Sequence, residues 1–245
     1  MPNATLQRNH LSNQIFEHLR DAILNREYLP GQRLPAERAL CQELQVTRGP
    51  MREALKRLEQ ARLIQIRQGD GSRVLDFEET GGLELLPALA MPGGRPNFAA
   101  VRSMFECRAL VAPEMARLAA LRIQAPRLQQ LLEVVEDIEG TRSPQQIQSL
   151  DVRFHGVLAR ASENLAYLLI YNSARDLFLR FKDVFTMMFE YDERTGSLYR
   201  RIYEAVQQGQ PRRAHALCTE LIDFGGQRAL EQLERLFTLF QERSP

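Results

Sequence analysis

The clearest chemical signal in the chain is a row of three cations, Arg48, Arg52 and Lys56, spaced four residues apart. In a helix this i, i+4, i+8 spacing places them on successive turns of one face. Guanidinium groups bind phosphate, and they bind guanine O6 and N7 in a bidentate manner. Thr47 precedes the row, where its hydroxyl and the free amides of a helix start can hold a phosphate. An ordinary surface helix can also carry three cations, so the row alone leaves both interpretations open.

A second pair of chemical interest is Asp151 and His155, spaced i, i+4. On a helix the two side chains come within reach of one divalent ion, which carboxylate and imidazole both ligate. Two ligands hold a metal poorly, and the same spacing also suits a hydrogen-bonded pair in a core. The sequence leaves these alternatives open.

The cation row needs a helix to carry it, and the apolar pattern predicts one from about Arg48 to Gln60. The inward positions follow the i, i+3, i+4, i+7 rule of a half-buried helix; they are Met51, Ala54, Leu55 and Leu58. Two earlier helices are predicted to begin at Ser12, a good N-cap, and at Pro35, which suits the first helical position. Their predicted buried residues are Ile15, Leu19, Ile23, Leu40 and Leu44.

After the third helix the apolar period changes to two. Ile64 and Ile66 alternate with polar residues, which indicates a strand. Gly69-Asp70-Gly71 predicts a tight turn, and residues 72–74 return as a second strand. Three helices followed by a hairpin predict a winged helix-turn-helix. The glycines at the wing tip permit close approach to a nucleic-acid groove, with Gln68 beside them.

The rest of the chain divides into a connection and a helical body. Residues 76–97 are rich in Gly and Pro and predict a linker with one short apolar helix. From Phe98 onward the periodicity is helical, with helices predicted at 98–123, 126–140, 144–162, 164–189, 193–208 and 211–241. The predicted fold class is mainly α. It comprises a winged head at 8–75, a linker at 76–97 and an all-α bundle of about six helices at 98–241.

Charge and composition fit this division. Residues 1–75 carry twelve Lys and Arg against eight Asp and Glu, a net charge of +4, and residues 76–245 carry twenty against twenty-three, a net charge of −3. A basic head suits a polyanion. The sequence shows no membrane-length apolar run and no secretory h-region, so we expect no membrane partner and a cytoplasmic protein. The three cysteines lie far apart, which argues against a disulfide framework or a zinc ribbon.

Three segments of the head carry recognisable motifs: PGQRLPAERAL, VTRGPMREALKRLE and RQGDGSRV. They resemble the N-terminal domain of the GntR family of bacterial transcription regulators, over roughly residues 12–75. The resemblance implies a double-stranded DNA operator as partner. The positions that it assigns to DNA contact are Arg38, Thr47, Arg48, Gly49, Arg52, Gln68 and Gly69. Gly49 departs from the family pattern, which more often has a hydroxyl or another polar group there.

Three segments of the body, MFECRALVAPEMARLAA, LDVRFHGVLARASEN and YRRIYEAVQQG, resemble the effector domain of the FadR subfamily, as does FEETGGLELL in the linker. Many such domains hold a divalent metal, Zn or Ni, through an Asp-x3-His pair and two later histidines. Asp151 and His155 match the pair, but Tyr199 and Leu221 stand at the later positions. The implied metal site is incomplete, and Glu204 or a carboxylate of the ligand is the expected substitute.

Arg108, in the motif FECR, matches the arginine that enters the effector cavity in this domain class. The resemblance therefore implies a small anionic metabolite, such as an organic or sugar acid, as effector. A structural ion pair of Arg108 with Glu106, Glu114 or Asp151 is the open alternative. The predicted effector-binding residues are Arg108, Asp151, His155 and Tyr199, with Tyr171 as a further hydroxyl donor.

Together these patterns predict a ligand-responsive repressor that binds a palindromic operator as a homodimer and is not an enzyme. An acyl-CoA is the alternative effector. Its tunnel would use Phe181, Phe185, Met187, Met188 and Phe189, although such residues more often pack in a core or a dimer interface. Two rivals are a helical metal-dependent enzyme using Asp151, His155 and a bound water, and an architectural DNA binder with steep salt dependence. Four histidines in the whole chain disfavour the enzyme.

Overall fold

The computed structural model describes residues 3–92, 97–180, 182, 186 and 193–242. The chain forms two compact units, residues 1–95 and 96–245, here named the head and the body. Each unit has its own apolar core. The described residues confirm the predicted fold class, because a two-stranded sheet lies in the head and helices form the body.

Three helices build the head: α1 (Asn3–Leu24), α2 (Glu37–Glu43) and α3 (Arg48–Gln60). Helix α3 packs against both α1 and α2, because its apolar stripe needs cover from water. The buried positions predicted from periodicity are confirmed for Ile15, Leu19, Ile23, Leu40, Met51, Ala54, Leu55 and Leu58. Leu44 is half-buried at the edge of this core. The opposite face of α3, with its cations, is left to solvent.

The predicted start of α1 is wrong. The helix begins at Asn3, so Ser12 lies inside it and is buried rather than capping its first turn. The residues between Asn3 and Ser12 include neither Gly nor Pro, and Leu, Gln and Arg among them favour a helix. The predicted start was placed where the apolar stripe begins. Helix α1 extends beyond that stripe towards its N-terminus, because its intrinsic helix propensity does not require apolar residues.

The predicted start of α2 is also wrong, because Pro35 lies outside the helix and Ala36 is its N-cap. The wing explains the delay. Leu34 donates its N–H to the carbonyl of Ser72 at 2.9 Å, and Val74 donates to the carbonyl of Gln32 at 2.8 Å. These hydrogen bonds hold the chain extended until Pro35, so a helix cannot start earlier.

The wing is an antiparallel hairpin of β1 (Ile64–Arg67) and β2 (Gly71–Val74), with Ile64 paired to Val74 and Arg67 to Gly71. Gly69 and Gly71 have φ of +79° and +82°, which only glycine adopts readily. Ile64 and Val74 are buried in the head core, whereas Ile66 is 40% exposed. The strand therefore anchors the wing through its first residue and leaves its tip in solvent.

The segment expected to be a linker packs on the head. It forms α4 (Phe77–Thr80), a 3₁₀ turn (Leu83–Leu85) and α5 (Leu86–Ala90). Leu85 and Ala88 are buried within the core that α1 and α3 form. The core of the head thus continues past the hairpin, and we name residues 76–90 the strap.

The body is helical, as predicted, and six of its helices have described bounds. They are α6 (Phe98–Arg122), α7 (Ala125–Gly140), α8 (Pro144–Ala161), α9 (Leu165–Arg180), α10 (Glu193–Gln207) and α11 (Pro211–Glu242). Helix α8 packs between α6 and α7, and α11 packs along α6 and α10. Phe154 and Leu158 of α8 are fully buried, so α8 is the central helix that carries Asp151 and His155. Phe181, Phe185, Met187, Met188 and Phe189 lie outside the described residues.

Candidate nucleic-acid interface and buried polar cluster

The cation row lies on the exposed face of α3. Arg48, Arg52 and Lys56 are all exposed, whereas Pro50 and Met51 between them are buried. The buried stripe fixes the rotation of the helix on the head, because turning it would expose that stripe. The row is therefore presented by a rigid element, as a DNA-reading surface requires.

An acidic partner that the sequence analysis missed orients Arg52. Its Nε donates to both oxygens of Glu37, at 3.0 Å each. Glu37 is the first residue of α2, so the ion pair also connects the two helices. The signal was present in the motif LPAER, but a contact between side chains on two helices cannot be read from either helix alone.

The other predicted contacts surround the start of α3. Thr47 is its N-cap, is exposed, and makes no capping hydrogen bond through its side chain. Gly49 is half-buried in the first turn, and Arg38 is exposed on the neighbouring α2. The hydroxyl of Thr47 and the N-terminus of α3 suit a phosphate, and Arg38 lies on the helix that packs against α3.

The wing tip presents Gln68 and Gly69, both exposed. Asp70 holds the tip in place by ion pairs with Arg33 and with Arg73, the latter at 3.3 Å. Arg73 also donates to the carbonyl of Gly31 at 2.8 Å. These contacts, which the sequence analysis did not predict, tie the hairpin to the chain before α2.

In the body, Asp151 is the centre of a buried polar cluster. Nη2 of Arg108 lies 3.0 and 2.8 Å from its two oxygens. The hydroxyl of Tyr199 donates to Oδ1 at 2.9 Å. Nδ1 of His155 lies 3.0 Å from the Asp151 carbonyl and 3.2 Å from Oδ1. Arg108 thus forms an ion pair with Asp151, one of the three partners left open by the sequence, while Glu114 pairs with Arg117.

The cluster is electrostatically strong. Burial by itself would raise the pKa of Asp151, but the Arg108 guanidinium, His155 and the Tyr199 hydroxyl together outweigh burial and hold that pKa well below its usual range. Burial, and then the Asp151 carboxylate, raise the pKa of Tyr199 well above its usual value. At neutral pH the cluster therefore holds a carboxylate, a guanidinium and a neutral phenol.

Two buried polar atoms of α8 have no hydrogen-bond partner within the described part of the chain: Nε2 of His155 and Nε2 of Gln148. Residues 148, 151 and 155 share one face of the helix. Such atoms are costly to bury without partners, so this face is suited to receive a ligand or an ordered water. Tyr171 packs nearby and donates its hydroxyl to the Val152 carbonyl.

The two later positions of the implied metal site hold no metal ligand. Tyr199 uses its hydroxyl on Asp151, and Leu221 is a buried apolar side chain. His215 is 41% exposed and faces Glu114 at 3.5 Å. Among the described residues no group of three or more His, Cys, Asp or Glu side chains could hold an ion. Glu204, the expected substitute ligand, is therefore not part of such a group.

Comparison with known proteins decides the family. Residues 11–74 match the family described as bacterial regulatory proteins, gntR family. The chain belongs to the GntR family. Residues 103–224 match the FCD domain, so this GntR protein is a helix-turn-helix transcription regulator with an FCD effector domain, as predicted from its motifs. None of the described helices is both long and apolar enough to span a membrane.

Relatives extend the match over most of this GntR protein. It is 31% identical over 216 residues to the HTH-type transcriptional regulator Mce2R of Mycobacterium tuberculosis, covering 88% of this chain and 90% of the relative. It is 32% identical over 164 residues to the fatty acid metabolism regulator protein of Cronobacter sakazakii, covering 67% of each. Its fold is similar to that of Lar, described as controlling the Listeria monocytogenes agr system, with 18% identity, 90% and 96% coverage and a TM-score of 0.58.

Proposed function

We propose that this GntR regulator binds a palindromic operator as a homodimer and represses transcription until a small anionic metabolite binds in its body. The observation that carries the proposal is the exposed cation row on α3, with Arg52 oriented by Glu37. The major groove of B-DNA is wide enough for one helix. With α3 in that groove, Arg48 and Arg52 reach base edges near the N-terminal end of the helix.

The surrounding residues then take complementary roles. Thr47 and Gly49, at the N-terminus of α3, meet a phosphate there, and Arg38 on the neighbouring α2 meets another. Gln68 and Gly69 at the wing tip approach the neighbouring groove, where the missing Cβ of glycine allows close contact. Two such heads related by a two-fold axis would read two half-sites of a palindrome.

The buried cluster supports an anionic effector. Arg108 pairs with Asp151 through Nη2 alone among the described contacts, and its side chain is 20% exposed against 5% for Asp151. A carboxylate or phosphate can therefore approach the rest of the guanidinium fork. Binding would shift the head only to the extent that the effector prefers one arrangement of the dimer. The fatty acid metabolism regulator among the relatives favours an acyl-CoA as the second candidate effector.

The DNA assignment is tested by Arg48→Ala and Arg52→Ala, measured by gel shift against an operator selected from a random DNA pool. We expect specific binding to weaken by about 5- to 150-fold for each, because a bidentate arginine–guanine pair gives roughly 1–3 kcal/mol. Arg212→Ala, which removes an exposed arginine of the body, is the charge-matched control. Unchanged operator affinity in either α3 variant would show that the row does not read DNA.

The effector assignment is tested by thermal shift with gluconate, citrate and palmitoyl-CoA as probes, since a ligand of the native state raises its melting temperature. Arg108→Ala alone would leave Asp151 as a buried unpaired charge. The double variant R108Q/D151N removes both charges and keeps hydrogen-bonding groups. It should keep operator binding and lose release by the active probe. If it responds to that probe like the wild type, the cluster is not the effector site.

A further inference from the structure

The carboxylate of Asp151 has little capacity left for a metal. A carboxylate offers about four lone-pair sites. Nη2 of Arg108 takes one on each oxygen, at 3.0 and 2.8 Å, and the Tyr199 hydroxyl takes another on Oδ1 at 2.9 Å. The charge of the carboxylate is therefore already balanced by a cation of the protein itself.

The orientation of His155 also opposes a shared ion. Its Nδ1 faces Asp151, at 3.0 Å from the carbonyl and 3.2 Å from Oδ1. Nδ1 is thus engaged with Asp151, and Nε2, which has no hydrogen-bond partner within the described residues, is the nitrogen left to ligate an ion. An ion on Nε2 would lie across the ring from the carboxylate, too far for Asp151 to ligate it at the 2.0–2.2 Å typical of Zn–O bonds.

The remaining positions reinforce this. Tyr199 is a buried phenol engaged with Asp151, and Leu221 is buried and apolar. A divalent cation next to Asp151 would also be repelled by the Arg108 guanidinium in a site with little solvent to screen it.

We propose that Arg108 is the permanent cation of this site, and that the body of this regulator works without Zn or Ni at Asp151 and His155. The Arg108–Asp151 ion pair keeps the buried carboxylate neutralised, and the remaining N–H groups of the guanidinium are left to face an anion. The consequence for ligands rests on the proposed effector site. In that site an anionic effector binds the Arg108 guanidinium itself and not a metal ion.

Metal content of the full-length wild type tests the proposal first. The protein is stripped with EDTA, incubated with excess ZnCl₂ or NiCl₂, desalted, and assayed by inductively coupled plasma mass spectrometry beside H155A. We expect equal metal in both proteins, and the addition of metal should leave their melting temperatures equally unaffected. About one equivalent in the wild type, lost in H155A, would overturn the proposal. Metal held equally by both lies elsewhere and is consistent with it.

Rebuilding the site tests the role of Arg108 directly. The variant Y199H/L221H restores the two later histidines, and R108Q/Y199H/L221H also removes the guanidinium. We expect the triple variant to bind Zn²⁺ at least about 10-fold more tightly than the double variant, by competition with a fluorescent zinc chelator. Equal affinities in two folded variants would overturn the exclusion by Arg108. If circular dichroism shows that neither variant folds, the metal content of the wild type compared with H155A still tests the proposal. Neither experiment involves the operator or an effector, so failure here is distinct from failure of the proposed function.

Discussion

Glu37 holds the side chain of Arg52 in one direction while leaving it accessible. The arginine side chain is 64% exposed, and an ion pair so open to solvent contributes little to stability. Its effect lies in geometry, because a guanidinium held at Nε keeps its two terminal nitrogens free to bind a base edge. We therefore regard Glu37 as a positioning residue.

Replacing Glu37 tests this role. We expect Glu37→Ala to weaken operator binding by about 3–10-fold with almost no change in melting temperature, because Arg52 must then be ordered when DNA binds. Glu37→Gln, which keeps an acceptor, should recover part of the affinity. Glu43→Ala on the same helix removes an exposed carboxylate as the control. Tighter DNA binding by Glu37→Ala would show that Glu37 only repels phosphate.

The cysteines give a second prediction at this scale. Burial raises the pKa of Cys218 to about 12, so at pH 8 it carries almost no thiolate, the form that reacts. Cys107 is exposed. At pH 8 iodoacetamide should label Cys107 in the native protein and Cys218 only after unfolding, as mass spectrometry of peptides would show. Native labelling of Cys218 at the rate of Cys107 would contradict its burial beside the cluster.

The periodicity of apolar residues was enough to predict which residues of a helix are buried and which are exposed. The apolar stripe of α3 identified its exposed cations, because buried and exposed faces of one helix determine each other. The partners of those side chains were not predictable, since Glu37 and Arg52 meet across two helices. For the same reason the sequence could not decide among three carboxylates as the partner of Arg108. The packing of the body helices places Asp151 beside it.

Helix boundaries were predictable where local chemistry decides them. Pro144 and Pro211 start α8 and α11 as expected, because proline suits the first turn. The errors at Ser12 and Pro35 arose where a helix extended without an apolar stripe and where the wing held the chain extended. The short apolar helix of the strap was predicted, but its packing in the head core was not, because a contact with other elements cannot be inferred from the segment alone.

The strap gives an element-scale prediction. Leu85 is 3% exposed within the head core, whereas Leu83, two residues earlier, is 42% exposed. Leu85→Ala should lower the free energy of unfolding of the head by about 2–4 kcal/mol, as a buried leucine does. Leu83→Ala, the matched control, should cost less than about 1 kcal/mol. Urea unfolding of the full chain measures both, and equal small effects would mean that the strap is a free linker after all.

Contacts at the start of the strap support this expectation. Arg26 pairs with Asp76 at 3.2 Å and with Glu78 at 2.7 Å, and its guanidinium lies 4.5 Å from the centroid of the Phe77 ring. The hydroxyl of Thr80 donates to the Arg62 carbonyl at 2.8 Å. These contacts attach the strap to the head at several points, in agreement with the burial of Leu85 in the head core.

At the scale of the whole molecule, the proposed homodimer needs a surface. Leu110 on α6 is 75% exposed, and Leu165 and Leu169 on α9 are 69% and 54% exposed. Helices α6 and α9 pack against each other, so these leucines lie on adjoining elements of the body. Exposed apolar side chains on adjoining helices are typical of a protein–protein contact, and a second copy of the chain is the partner that a palindromic operator requires.

Leu110→Glu therefore tests dimer and operator symmetry together. A monomer keeps its reading head but loses the second half-site, whose contribution comes from an effective concentration near the millimolar range. We expect sedimentation equilibrium to show a monomer, with affinity for the full palindrome reduced about 100-fold or more and affinity for an isolated half-site unchanged. Leu83→Glu, on the head, adds the same charge as a control. If Leu110→Glu weakens binding to the half-site equally, the head itself has been damaged; if it remains a dimer, the contact surface lies elsewhere. Only a selective loss on the full palindrome fits two heads that are joined through their bodies and read one operator.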